Sequence, residues 1–305
     1  MQTNYDVIVI GGSYAGMAAA LQLARGRRKV LVIDGGVRRN RFASHSHGLL
    51  GQDGKSPSAI AEEAKAQLLE YPNLTWLQGI VDSAEKTGER FTVITSDNKT
   101  GGNNSFIAKR LILATGVSDH LPAITGLQDR WGKTLFHCPY CHGYELDQGK
   151  LGVLAISEAS FHQAMLIPDW GPTTLFTNNC FTPNAEQCAQ LAARGVTIET
   201  ETVSEVAGEQ SMIVKLANGR LVELAGLFVA SLTQPSNRIA QDLGCEIAES
   251  PIGFYIKTDE LKQTSVPGVF ACGDLARPMG SVTFAIGDGA QAGFATHRSL
   301  IFEGH

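Results

Sequence analysis

The chain has 305 residues with 43% hydrophobic content, 33 glycines, six cysteines and a formal charge of −5. That length accommodates two domains with proper cores, and the dispersed basic residues exclude a nucleic-acid surface. No apolar run approaches a membrane span, and six cysteines in a chain this long do not make a secreted disulfide framework.

The N-terminus enters a strand at once, Tyr5 to Ile10, with no basic segment ahead of an apolar one, so no secretory leader and a cytoplasmic protein are expected. Val7 to Ile10 is continuously apolar, as in a strand buried on both faces of a parallel sheet. It runs into Gly11-Gly12-Ser13-Tyr14-Ala15-Gly16, a predicted helix over Met17 to Arg25, and a second buried strand, Val30 to Ile33, ending at Asp34. In that setting Gly11 permits the tight turn, Gly16 lets helix and strand approach, and the helix N-terminus faces a pyrophosphate. Asp34 is placed to accept from an adenosine ribose. The middle glycine of the motif is replaced by Ser13, which is small enough to keep phosphate approach open.

Further along, Leu111 to Gly116 reads as a buried strand ending in the small turn Ala114-Thr115-Gly116. The segment Thr100-Gly101-Gly102-Asn103-Asn104 reads as a surface hairpin tip. Next comes Cys138-Pro139-Tyr140-Cys141. Two thiols at this spacing close a small disulfide ring, and a cysteine at a helix start has its reactive thiolate stabilised. A zinc site is the rival reading of Cys-x-x-Cys, but Cys180, Cys188, Cys245 and Cys272 form no second pair, so no metal is expected. Cys245 and Cys272 read as core residues. Val269 to Asp274 is a last buried strand, followed by a predicted helix around Ala285 to Ala295.

The Ala-Thr-Gly and Gly273-Asp274 segments match, in type and order, those of two-dinucleotide flavoproteins. The resemblance implies that Asp274 holds a ribityl hydroxyl and that the following helix points its N-terminus at the flavin, with FAD as the cofactor. Along nearly its whole length the chain resembles the low-molecular-weight thioredoxin reductase family, carried by Gly11 to Gly16, Asp34, Ala114 to Gly116, Cys138 to Cys141 and Gly273-Asp274. It implies an α/β fold of two Rossmann-like domains, the FAD domain discontinuous (1–118 and 241–305) and a smaller nucleotide-binding-like domain (119–240) inserted with the cysteine pair. Hinges are expected near Val117 to His120 and Gln234 to Asn237, letting the inserted domain rotate. The resemblance also places Gly35, Arg41, Val81, Ser281 and Val282 in the cofactor site, and implies a homodimer acting on a dithiol or disulfide substrate, either a small molecule or a thioredoxin-like protein.

Two departures bear on function. The inserted domain's strand, Leu151 to Ile156, leads into Ser157-Glu158-Ala159-Ser160-Phe161-His162, without a glycine motif, and Thr173 to Phe176 ends in Thr177-Asn178-Asn179, without a ribose-binding acid or phosphate-binding arginines. Tight NADPH use is therefore not expected. Cys141 is followed by His142-Gly143-Tyr144-Glu145, which together with Arg39 to Phe42 and His45 to Gly48 resembles the gliotoxin- and holomycin-type dithiol oxidases. On this reading Cys138 is the interchange thiol, Cys141 the flavin-proximal thiol, and His142, titrating near neutrality, the acid–base group, with His137 or Glu145 in support. The expected activity is dithiol oxidation with oxygen as acceptor. The alternatives are a thioredoxin reductase fed by a ferredoxin-like or flavin donor or weakly by NADPH, and a non-catalytic flavin-binding redox sensor.

Overall fold

The computed structural model describes residues 3–96 and 103–302. It divides into two compact units, one of residues 1–41, 49–118 and 233–305, the other of residues 42–48 and 119–232. Of the expected hairpin tip, Thr100 to Gly102 lie outside the described residues, and Asn103 and Asn104 open a long strand.

The first unit is built on a seven-stranded sheet. Its first strand, Thr3–Ile10, lies between Val30–Asp34 and Asn103–Leu113, parallel to both. Val269–Ala271 also runs parallel to Asn103–Leu113, whose other neighbours continue antiparallel through Arg90–Ser96 and Val81–Thr87. The register pairs Ile10 with both Ile33 and Leu113, and Leu113 with Ala271. Four parallel strands thus stop at one level, and the residues that follow them meet at a single carboxyl edge, the edge at which open α/β sheets bind ligands.

Packing explains why small residues recur here. The first helix (Tyr14–Arg25) lies against the last (Val282–Phe302), where a Cβ on Gly289 would stand 2.0 Å from the Ala15 carbonyl oxygen and one on Gly293 2.6 Å from that of Ala19. Larger side chains would force the helices apart and loosen the core of Val7, Val9, Ile112 and Phe270 beneath them.

The second unit has its own five-stranded parallel sheet, ordered Thr197–Glu199, Thr173–Phe176, Leu151–Leu154, Gly226–Val229, Leu135–Phe136, with a three-stranded antiparallel sheet beside it. The fold is α/β with two Rossmann-like units. Two boundaries differ from the sequence expectation. The chain re-enters the first unit at 232/233 and not at 240/241, because Ile239 and Ala240 are buried in that unit's core with Leu31, Leu111 and Val269. The segment 42–48, assigned by sequence to the flavin domain, belongs to the second unit.

Candidate active site

At the carboxyl edge of the first unit, backbone hydrogen bonds tie the strand ends together. The amide of Gly11 donates to Ile33 O (2.8 Å), that of Ala114 to Ile10 O (2.8 Å) and that of Cys272 to Leu113 O (3.1 Å). Gly11 has φ +104°, and a Cβ there would lie 2.3 Å from Ala114 O; on Gly16 it would lie 1.9 Å from Gly11 O. Ser13 caps the first helix in extended conformation with no side-chain bond into the first turn, so its hydroxyl remains beside the helix N-terminus. Amides of a first turn have no acceptors within their helix, which suits a pyrophosphate.

Asp34 accepts a hydrogen bond from the Gly12 amide at 3.2 Å, and its carbonyl accepts from Gly79 at 2.9 Å. That second bond brings the turn before Val81, a buried strand-opening residue, to the acid, while Gly35 beside it is exposed. Tyr14 is turned away: its hydroxyl donates to Pro57 O (3.0 Å) and accepts from Asn40 (3.3 Å), so only its backbone faces the motif's turn. Gly116 has φ +67° and follows Thr115 out of the strand. Gly273, at φ +69°, leaves no room for a Cβ, which would meet that of Ala15 at 2.7 Å. Asp274 follows and is ion-paired to Arg39 at 2.8 Å. Arg41, the arginine singled out from sequence, instead folds back on Arg38 O at 2.9 Å. Ser281 accepts the Phe284 amide at 3.1 Å and so caps the helix that Val282 begins. Arg39 and Asn40 entered the sequence reading only as part of the Arg39 to Phe42 loop, which gave no sign of their partners Asp274 and Tyr14.

In the second unit the strand Leu135–Phe136 runs into His137 and then Cys138, the N-cap of a one-turn helix, Pro139–His142. Proline suits the first helical position because its missing amide proton is not needed there. Cys138 and Cys141 are joined in a disulfide, with Cα atoms 5.4 Å apart. Gly143 follows, where a Cβ would strike the Trp170 indole at 2.6 Å. Trp170 also packs edge-on against the exposed Tyr140 (centroids 5.2 Å apart). His142 stacks on Phe136 at 4.4 Å with an interplanar angle of 24°.

That stack corrects the sequence expectation for His142. Burial pushes its basicity down to about 4, with Glu145 acting the other way and His47 adding to the depression. It is therefore a neutral imidazole at pH 7 and does not titrate near neutrality. His137 lies elsewhere: its ring stacks on Trp131 (5.9 Å) and its carbonyl accepts from Gln163 (3.0 Å). Cys272 is wholly buried, its thiol pushed up to about 12 chiefly by that burial, and Cys245 is buried too; Cys180 and Cys188 are free thiols. Among the described residues no group of three His, Cys, Asp or Glu side chains is arranged to hold a metal ion, and no helix is long and apolar enough to cross a membrane.

The turn after Leu151–Leu154 differs from the Gly11 turn. The buried Ser160 accepts the Ile156 amide at 3.1 Å, filling the turn from within, and the helix beyond it, Ser160–Leu166, is only seven residues long. Asn178 and Asn179 adopt left-handed φ (49° and 55°). Asn178 accepts the Val203 amide (3.0 Å) and Asn179 donates to Thr202 (2.6 Å).

The model of the pyridine nucleotide-disulphide oxidoreductase family matches residues 5–289. The chain belongs to that family. Its sheet edges and its cysteine disulfide are those of a flavin-dependent disulfide oxidoreductase of thioredoxin reductase-like type, and membership implies FAD as the flavin. An oxidoreductase from Agrobacterium tumefaciens is 53% identical, with a TM-score of 0.94 over 99% of this chain and 100% of that one. HlmI is 36% identical, with a TM-score of 0.90 over 99% of this chain and 94% of its own. The thioredoxin reductase tcpT of Claviceps purpurea is 30% identical over 97% of this chain and 94% of its own length. The crowded turns at Gly11, Gly16 and Gly273, where a Cβ would strike neighbouring backbone or Ala15, fit the FAD that family membership implies.

Proposed function

We propose that this oxidoreductase oxidises dithiols to disulfides, with dioxygen as the terminal electron acceptor. The observation that carries the reading is the turn at Ile156 to Ser160, closed by its own serine where a nicotinamide dinucleotide would need open backbone, in a chain whose redox disulfide is intact. Bound FAD, held by Gly11 to Gly16, Asp34, Ala114 to Gly116 and Gly273-Asp274, would supply the two-electron acceptor that links the cysteine pair to oxygen.

The cysteines and His142 do the remaining chemistry. A substrate thiol gives its proton to the neutral His142 imidazole, and the thiolate attacks Cys138 Sγ. The Cys138–Cys141 bond breaks, leaving Cys141 as thiolate and Cys138 in a mixed disulfide. Once His142 has returned the first proton to solvent, the second substrate thiol gives its proton to the same imidazole and attacks the substrate sulfur of that bond, closing the substrate disulfide and releasing Cys138. Two electrons now reside on the cysteine pair and two protons have left. Cys138, at the helix N-cap, is the sulfur released as thiolate in this second exchange.

The name thioredoxin reductase on the Claviceps purpurea relative favours a second reading, a reductase running the same exchange in reverse from a non-nicotinamide donor. Anaerobic stopped-flow reduction of the flavin by NADPH, NADH, reduced thioredoxin and dithiothreitol separates them. Rapid reduction by the small dithiol alone supports the oxidase, and rapid reduction by NADPH overturns it.

A further inference from the structure

The histidines around the redox pair are placed very differently. His137 lies on Trp131, and the exposed His45 has Nδ1 3.0 Å from Ser44 Oγ. His47 lies against Glu145, with Nε2 3.4 Å from Oε1. It reaches there because the segment 42–48 joins the second unit. Gly132 makes that seating possible: Phe42 Cβ occupies the space where a side chain on Gly132 would begin, 2.6 Å from the ideal Cβ position. The His47 side chain is 20% exposed and that of Glu145 42%, so the ion pair leads from the half-buried redox helix outward to water.

We infer that His47 and Glu145 form a relay pair that takes from His142 the proton it accepts from a thiol and passes it to solvent. The inference rests on the dithiol reading and assigns two residues to it. The proton balance is simple. A thiol S–H bond breaks, the proton binds a ring nitrogen of His142, moves to Glu145 or His47 and then to water, and the imidazole returns to neutral without electron transfer. The relay answers a physical difficulty. An imidazolium stacked on Phe136 and stripped of water is costly, so a base in that setting turns over only if a neighbour removes its proton. The charged groups whose fields act on His142 are Glu145, from the turn Tyr144–Leu146, and His47, from the segment 42–48. The packed strand contributes Phe136, which does not titrate, and its own helix contributes only the disulfide. Glu145 favours the protonated ring and His47 opposes it, so moving a proton onto the pair drives His142 back to its neutral form.

The test uses FAD-loaded protein reduced anaerobically by dithiothreitol, in His47→Gln, Glu145→Gln, Glu145→Asp and His142→Gln variants. At pH 7 the first two should each slow reduction about tenfold, less than the roughly hundredfold loss of the base itself. The double variant should be no slower than its slower parent, since both residues serve one path, and Glu145→Asp should recover most of the rate. In the oxidised protein, the imidazole resonance absent from His142→Gln should titrate at lower pH in Glu145→Gln and at higher pH in His47→Gln. Normal rates in both single variants beside a slow His142→Gln would overturn the relay and leave the base. Slow variants whose His142 midpoints stay put or move together would also overturn it, as a merely structural role. An unimpaired His142→Gln would instead overturn the acid–base reading beneath it.

Discussion

His142 illustrates how one residue's surroundings reset its chemistry. Its position after Cys141 suggested a group titrating at neutral pH, but burial lowers its basicity to about 4. The rate of dithiol reduction should therefore show no step from this group between pH 6 and 8, and replacing it with glutamine should slow reduction by about a hundredfold at unchanged FAD content. A step near pH 6.5 that vanishes in the variant would contradict this. Stability follows the same shift with a definite sign. A histidine whose folded basicity is depressed leaves the unfolded chain holding more protons between about pH 6.5 and 4, so its contribution is intact above that window and is lost as pH falls through it. The full shift sets an upper bound of about 3 kcal/mol, reduced by partial solvent access. Melting temperatures should fall less steeply below pH 6 in His142→Gln than in the parent. Among the acids, Asp34 accepts the Gly12 amide, and we propose that it also holds the adenosine ribose. Asp34→Ala should weaken FAD retention, measured as the flavin left after dialysis in mild denaturant, and equal retention would remove Asp34 from the site.

At the level of elements, the two units differ in the turn between first strand and first helix. In the first, an added methyl on Gly16 would lie 1.9 Å from the Gly11 carbonyl oxygen, which backbone cannot yield. Gly16→Ala should therefore displace the first helix, cost a few kcal/mol and lose bound FAD together, readable by thermal melting and flavin absorbance. In the second, the fully buried Ser160 supplies the acceptor for the Ile156 amide. Ser160→Ala leaves that amide unsatisfied, at a cost of about 1–3 kcal/mol. The melting temperature should drop without any gain in NADPH affinity; a gain would mean the serine alone blocks the nucleotide. These turns were legible in sequence because a glycine motif is a local demand on backbone, visible within six residues. So were the buried strands, since runs such as Val7 to Ile10 and Leu111 to Leu113 are apolar on both faces. What was not legible depends on pairs far apart in the chain: Asp274 with Arg39, 235 positions earlier, and Glu145 with His47. Spacing rules reach along an element, not across a fold.

For the molecule as a whole, the chain passes between its two units at places that no sequence motif marks. The return crossing falls at 232/233 because Ile239 and Ala240 are core residues of the first unit, a fact about packing that no turn signal announces. The excursion of residues 42–48 into the second unit was likewise invisible, since nothing in Phe42 to Gly48 names Gly132 as its seat. That excursion brings a residue from the N-terminal third of the chain to the redox pair, so chemistry assigned to one unit draws on sequence from both sides of the other. On the proposed function, electrons enter this oxidoreductase from dithiols and not from a nicotinamide. Anaerobic stopped-flow absorbance of the FAD-loaded protein tests it most directly. The account predicts rapid bleaching by dithiothreitol, negligible bleaching by NADPH at equal concentration, and recovery of the yellow form when oxygen is admitted. Fast saturable bleaching by NADPH, with none by the dithiol, would contradict it.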